Sequence, residues 1–205
     1  MDELRFKLND NEYRLQNIFI LGNTCSGKTT IARRIIKQLK NSNVEIIAMG
    51  DKSYADYHDL DINILEPNDN WDRDYIKGIK EDLDKRIIND SYDNSKLIII
   101  DDISGVISYP FANEESLANL SYLIEKGKEY GIYFIILSQR ICETAYKEEY
   151  RKNTDIHIYM RCNNEDESKF LIGNESLKSL KKGEYILELK HLIKRGVIYE
   201  SIKNY

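Results

Sequence analysis

The sequence predicts an α/β domain: a mostly parallel sheet with helices on both faces, closed by a C-terminal β-hairpin. Short runs that are apolar throughout, such as Leu97-Ile98-Ile99-Ile100 and Ile132 to Leu137, suit parallel strands covered on both sides. Between them lie segments with apolar residues at helical spacing, and strand–helix alternation is the pattern of such a sheet. A length of 205 residues is about one domain, so residues 1–205 are taken as a single unit.

The elements follow in order. Residues 1–16 are polar and fit no element. Asn17 to Leu21 is the first strand. Ile31, Ala32, Ile35, Ile36 and Leu39 then recur on one helix face. Val44 to Met49 is a second strand. Ser53 to Asp74 is polar, contains Pro67 and reads as a long surface loop. A helix over Tyr75 to Ile88 leads to the strand Leu97–Ile100. Glu114 to Tyr130 is helical, stopped by Gly131 before the strand Ile132–Leu137. Ile156, Ile158 and Met160 mark a fifth strand, and Asp166 to Leu171 a short helix. Tyr185–Leu189 and Val197–Ile202 read as the closing hairpin.

Composition narrows the function. No apolar run approaches the roughly 20 residues of a membrane span. The start, Met1 to Arg5, is acidic and shows no secretory leader. The three cysteines, Cys25, Cys142 and Cys162, have no metal-ligand spacing, which points to reduced thiols and a cytoplasmic setting. His58, His157 and His191 have no metal spacing either. A net charge of −5 excludes a surface coated for non-specific DNA binding. A local basic run, Lys178, Lys181, Lys182, Lys190, Lys194 and Arg195, reads first as a solvated face.

The chemistry is concentrated at three strand ends. Gly22-x-x-x-x-Gly27-Lys28-Thr29 matches the phosphate-binding P-loop, after an apolar strand and before an amphipathic helix. Its glycines let backbone N–H groups curl around phosphate, and the helix N-terminus favours the same anion. The segment Gly22, Asn23, Thr24, Cys25, Ser26, Gly27, Lys28, Thr29 and Thr30 is therefore the candidate ATP cradle. Lys28 is assigned to the β- and γ-phosphates and Thr29 to Mg2+. Asp101, ending a buried strand, is the second magnesium-side group, and Asp102 the candidate general base. Gln139, after the strand Ile132–Leu137, is placed to meet the γ-phosphate or the attacking water.

Together these segments resemble the motor domain of the FtsK/SpoIIIE family, in the FtsK–HerA group of P-loop ATPases. The most specific part is Leu123 to Arg140, similar to that family's helix, "GI" strand and sensor glutamine. Asp51-Lys52, Asn153 to Ile158, Glu167 to Gly173 and Leu180 to Leu187 are similar to further family segments. The resemblance implies a RecA-like P-loop NTPase fold, with the Gln139 strand between the P-loop strand and the Asp101 strand. Direct adjacency of those two strands would instead mean a kinase-like arrangement. It also implies a Mg2+-ATP-driven ring, hexameric by resemblance, that translocates or packages double-stranded DNA. Lys128 matches the arginine that acts on a neighbour's nucleotide, with Arg140 or Arg161 as substitutes. The pair Asp101-Asp102 stands where the family usually has Asp-Glu. Two other readings are an ATPase module of a secretion or conjugation coupling protein that engages protein, and a slow nucleotide-gated scaffold.

Overall fold

The computed structural model describes residues 3–50, 53–65, 71–92, 94–103, 114–139, 148–174, 176–189 and 192–198. Asp51, Lys52, Pro67, Arg140, Cys142, Lys190, His191 and Ile202 lie outside them. The strands are β1 (Arg5–Leu8), β2 (Asn11–Arg14), β3 (Ile18–Leu21), β4 (Val44–Met49), β5 (Asn63–Leu65), β6 (Ser95–Ile100), β7 (Ile132–Ser138), β8 (Ile156–Met160), β9 (Glu184–Leu189) and β10 (Leu192–Val197). The α-helices are α1 (Lys28–Leu39), α2 (Ser53–Tyr57), α3 (Trp71–Asn89), α4 (Glu114–Lys126), α5 (Glu148–Lys152) and α6 (Glu165–Ile172).

Eight strands form one sheet in the order β10-β9-β8-β3-β7-β6-β4-β5. The pairs from β8 through β5 are parallel, while β9 and β10 add antiparallel at the end. The strand carrying Gln139, β7, lies between β3 and β6, as the sequence predicts. β3 is buried along its whole length between β7 and β8.

Strand pleating sends alternate side chains to opposite faces. Phe19, Leu21, Ile98 and Ile100 join Ile76, Ile79 and Leu83 of α3 and Leu120, Leu123 and Ile124 of α4 in one core. Ile18, Ile20, Leu97 and Ile99 join the α1 stripe Ile31, Ala32, Ile35, Ile36 and Leu39 in the other. Both faces are thus covered, which is why these strands read as unbroken apolar runs.

Three expectations require correction. Residues 5–14 form the hairpin β1–β2, and its Phe6, Leu8 and Tyr13 are buried in the α1-side core. Their alternation spans only a few residues on each strand, too short to stand out. The expected loop from Ser53 carries α2, a 3-10 turn at His58–Leu60 and β5, and Tyr57 and Leu60 enter the core. The second strand of the closing hairpin is Leu192–Val197, pairing Leu192 with Leu189 and Val197 with Glu184. It is an edge strand whose Leu192 and Ile193 are exposed, so it lacks the apolar signature that drew the reading toward Val197–Ile202.

Asn17 ties the sheet's lower edge together. It is fully buried; its Nδ2 donates to the carbonyls of Ile124 (2.7 Å) and Asn153 (3.2 Å), and its Oδ1 accepts from Phe134 N (3.0 Å). Its own carbonyl accepts from Asp155 and Ile156. Asn17→Ala would strand the buried Phe134 N–H and Ile124 carbonyl, each worth about 1–3 kcal/mol. Denaturant unfolding of Asn17→Ala is expected to show a loss of about 2–5 kcal/mol.

Candidate active site

The P-loop is the turn from β3 into α1. Backbone bonds hold it on three sides: Gly22 N to Ser138 O at the end of β7 (3.2 Å), Asn23 N to Arg161 O beyond β8 (3.0 Å), and Gly183 N, before β9, to Ser26 O (3.0 Å). Gly27 caps α1 with φ 113°, a left-handed conformation that a side chain resists. The first turn of α1 contains no acidic residue, so its N-terminal dipole is left to favour an anion. Lys28 is buried and its Nζ donates to the carbonyls of Gly22 (2.7 Å) and Asn23 (3.0 Å).

The other two strand ends converge on this loop. Thr29 Oγ1 donates to Asp101 Oδ2 at 3.3 Å. Thr24 Oγ1 donates to Gln139 Oε1 at 2.8 Å. Asp102 follows at the end of β6, half-buried, across a cis peptide from Asp101. The structure therefore brings Lys28, Thr29, Asp101, Asp102 and Gln139 to one end of the sheet. A cleft of about 380 Å³ opens beside them, lined by Asn23, Thr24, Gln139, Asn163, Asn164 and Glu167.

Asp101 is 6% exposed, and burial pushes its carboxyl up. The Tyr57 bond and the Lys28 charge pull it down, while Asp56 and Asp102 push it up. A buried carboxylate with a hydroxyl on the same oxygen and a second carboxylate adjoining is a set of hard oxygen donors that a divalent cation would satisfy. Among the described residues no three His, Cys, Asp or Glu side chains cluster into a metal cage. The donor set suits Mg2+ held jointly by protein oxygens, water and nucleotide phosphate.

Lys128 is not at this end. It precedes β7, in the 3-10 turn Gly127–Tyr130, and its Nζ pairs with both oxygens of Asp155 (2.8 and 2.9 Å) just before β8. The seven residues of β7, about 20 Å of strand, separate it from its own P-loop. Arg161 is exposed beside the P-loop through its carbonyl bond to Asn23. Arg33 turns away from the phosphate side, to Asp59 at 2.6–2.7 Å and to the Asp56 carbonyl. His157 is a buried strand residue and His58 is exposed.

Sequence reasoning missed Tyr57. It is fully buried, and its hydroxyl donates to Asp101 Oδ2 at 2.8 Å. One of 15 tyrosines in a polar stretch carries no motif. The only available signal is its place just after β4, the neighbour of β6.

The geometry defines a P-loop NTPase fold of the RecA-like type, with an extra strand between the two motif strands. The family model described as chromatin associated protein KTI12 matches residues 17–110, less than half of the chain. That stretch contains the P-loop and the Asp101 strand but ends before β7, the strand that separates this fold from the kinase-like arrangement. A sequence search of curated proteins finds no match.

Solved structures match over nearly the whole chain. The TcpA conjugation coupling protein of pCW3, a monomer form with ATPγS, is similar with a TM-score of 0.77 and 17% identity, over 94% of this chain and 64% of that one. The cytoplasmic domain of the type VII secretion ATPase EccC of Thermomonospora curvata gives 0.74 and 14%, over 95% and 28%. B204, the DNA-packaging ATPase of Sulfolobus turreted icosahedral virus, gives 0.70 and 17%, over 90% and 98%. The chain thus spans less than two thirds of the first two and nearly all of the third. At these identities the likeness establishes the fold, and at that level the resemblance to FtsK–HerA ATPases is borne out. No described helix is long and apolar enough to cross a membrane.

The Arg33–Asp59 pair generates a prediction about acid. The Arg33 guanidinium holds the Asp59 carboxyl down to about 2, from an ordinary 3.8. A depressed carboxyl contributes stability above its unfolded value and loses it as pH falls through the folded one. Wild type is expected to be more stable than Arg33→Gln at pH 5, with the difference narrowing as pH falls from about 4 through about 2. Denaturant midpoints across that range check it, and added salt should shrink the difference because the pair is partly exposed.

Proposed function

We propose that the chain is a Mg2+-ATP-hydrolysing motor subunit that assembles into a ring and moves or packages double-stranded DNA. The observation that carries this reading is the meeting of Thr29, Asp101 and Gln139 around one P-loop with β7 between β3 and β6. Near-complete coverage of a DNA-packaging ATPase by a chain of this length supports the choice of DNA.

In this reading the P-loop amides from Gly22 to Thr30 and the Lys28 ammonium bind the phosphates. Thr29 and Asp101 hold Mg2+, which supplies charge neutralisation to the transferring phosphoryl group. Asp102 takes the proton of the attacking water and Gln139 orients that water. Lys128 lies too far along the sheet to reach its own P-loop, so it serves a neighbouring subunit, and Asp155 must release it to do so. An arginine finger contributes about 10³–10⁵ in rate, and lysine lacks its planar two-pronged geometry, so the basal rate is slow.

The likeness to TcpA and EccC and the net charge of −5 favour a second reading, a coupling ATPase that engages protein substrate. ATPase rates with and without double-stranded DNA separate the two. Stimulation is expected, and turnover indifferent to DNA selects the protein-coupling reading.

Asp102→Asn is expected to keep ATP binding and lose about 10²–10⁴-fold in rate, the usual worth of a general base. Unchanged hydrolysis would assign the base elsewhere. Mixtures of inactive Lys28→Ala and Lys128→Ala subunits are expected to recover activity at shared interfaces. No recovery in rings shown to be mixed would remove the trans role of Lys128.

A further inference from the structure

Tyr57 sits where a residue required only to fill space would be apolar. It is fully buried in the α1-side core, yet it carries a hydroxyl that must find a partner there. That partner is Asp101 Oδ2, at 2.8 Å, the oxygen that also accepts from Thr29. Two donors on one oxygen restrain rotation of the carboxylate, and the tyrosine bond is the shorter. A tyrosine hydroxyl keeps its proton at neutral pH and donates it to the carboxylate.

The ring is itself held from the P-loop helix. Arg33 lies one turn after Thr29 on α1 and donates to the Asp56 carbonyl and, with two nitrogens, to Asp59. Tyr57 lies between these two acceptors. A continuous path therefore runs from α1 through Arg33, across α2 and the following turn, through Tyr57 to Asp101, and back to α1 at Thr29.

We propose that Tyr57 is a positioning residue: its hydroxyl fixes the Asp101 carboxylate in the orientation that a divalent cation at the nucleotide requires, and Arg33 fixes Tyr57. This rests on the magnesium-side assignment of Asp101 made above. Tyr57 touches neither nucleotide nor cation in this arrangement and acts only through Asp101.

The test reads cation binding apart from turnover. Mn2+ affinity of the protein–AMPPNP complex is measured from loss of the free Mn2+ electron paramagnetic resonance signal. Fluorescent mant-ATP binding in EDTA measures the phosphate cradle alone. Tyr57→Phe keeps the ring and removes the hydroxyl. It is expected to weaken Mn2+ binding roughly tenfold, the scale of one hydrogen bond to a charged group, and to leave mant-ATP binding in EDTA unchanged. Arg33→Gln is expected to weaken Mn2+ binding by a smaller factor, and Asp101→Asn by a larger one. If Asp101→Asn weakens Mn2+ binding and folded Tyr57→Phe does not, the proposal fails while the assignment of Asp101 stands. If Asp101→Asn has no effect either, both fail. Should Tyr57→Phe not fold, Arg33→Gln decides, and an unchanged Mn2+ affinity there overturns the proposal.

Discussion

Thr29 and Asp101 belong to elements that are not neighbours in the sheet, and the site depends on their meeting. Thr29 opens the helix that follows β3, and Asp101 ends β6. Strand β7 lies between β3 and β6, so α1 must carry Thr29 past the end of β7 to reach Asp101 at 3.3 Å. Three parallel strands, β3, β7 and β6, must hold register for this to occur. Ile20 opposite Leu137, and Ile100 opposite Ile136, set the heights at which Gln139 and Asp101 emerge. A one-residue slip would turn each side chain to the other face.

Parallel packing makes this register strict. The strands are covered on both faces, by α1 on one side and by α3 and α4 on the other, so neither face tolerates a slip. Polar chemistry is then confined to the strand ends, where the covering helices give way. Lys28 and Asp101 are buried charged groups there, adjoining backbone carbonyls, a hydroxyl and each other's field. Such groups favour a ligand that brings both anion and cation.

Much of this was legible from sequence because it is local. Gly22 to Thr29 states its own conformation, Leu97 to Asp102 shows an apolar run meeting acid, and Gly131 marks the stop before β7. What escaped depends on distant partners. Tyr57 has meaning only through Asp101, 44 positions away. Hairpin β1–β2 is amphipathic only against α1, and β10 is an edge strand whose pairing with β9 leaves no apolar pattern to read. Lys128 stood out by resemblance, but nothing in its neighbourhood pointed to Asp155, which precedes β8 on the far side of β3.

The central position of β3 bears on how the chain reaches this state. Both of its neighbours come from far downstream: Ile18 faces Ile135 on one side and Ile156 on the other. At roughly 5–20 residues per second on a ribosome, β3 waits on the order of 6–23 s for its first flanking strand to be made. During that interval the apolar strand keeps two open edges, and only the helices and hairpin made before β7 can cover its faces. The strand that carries the phosphate loop is thus among the first to be synthesised, yet the strands β4, β5 and β6 made after it can pair before it does.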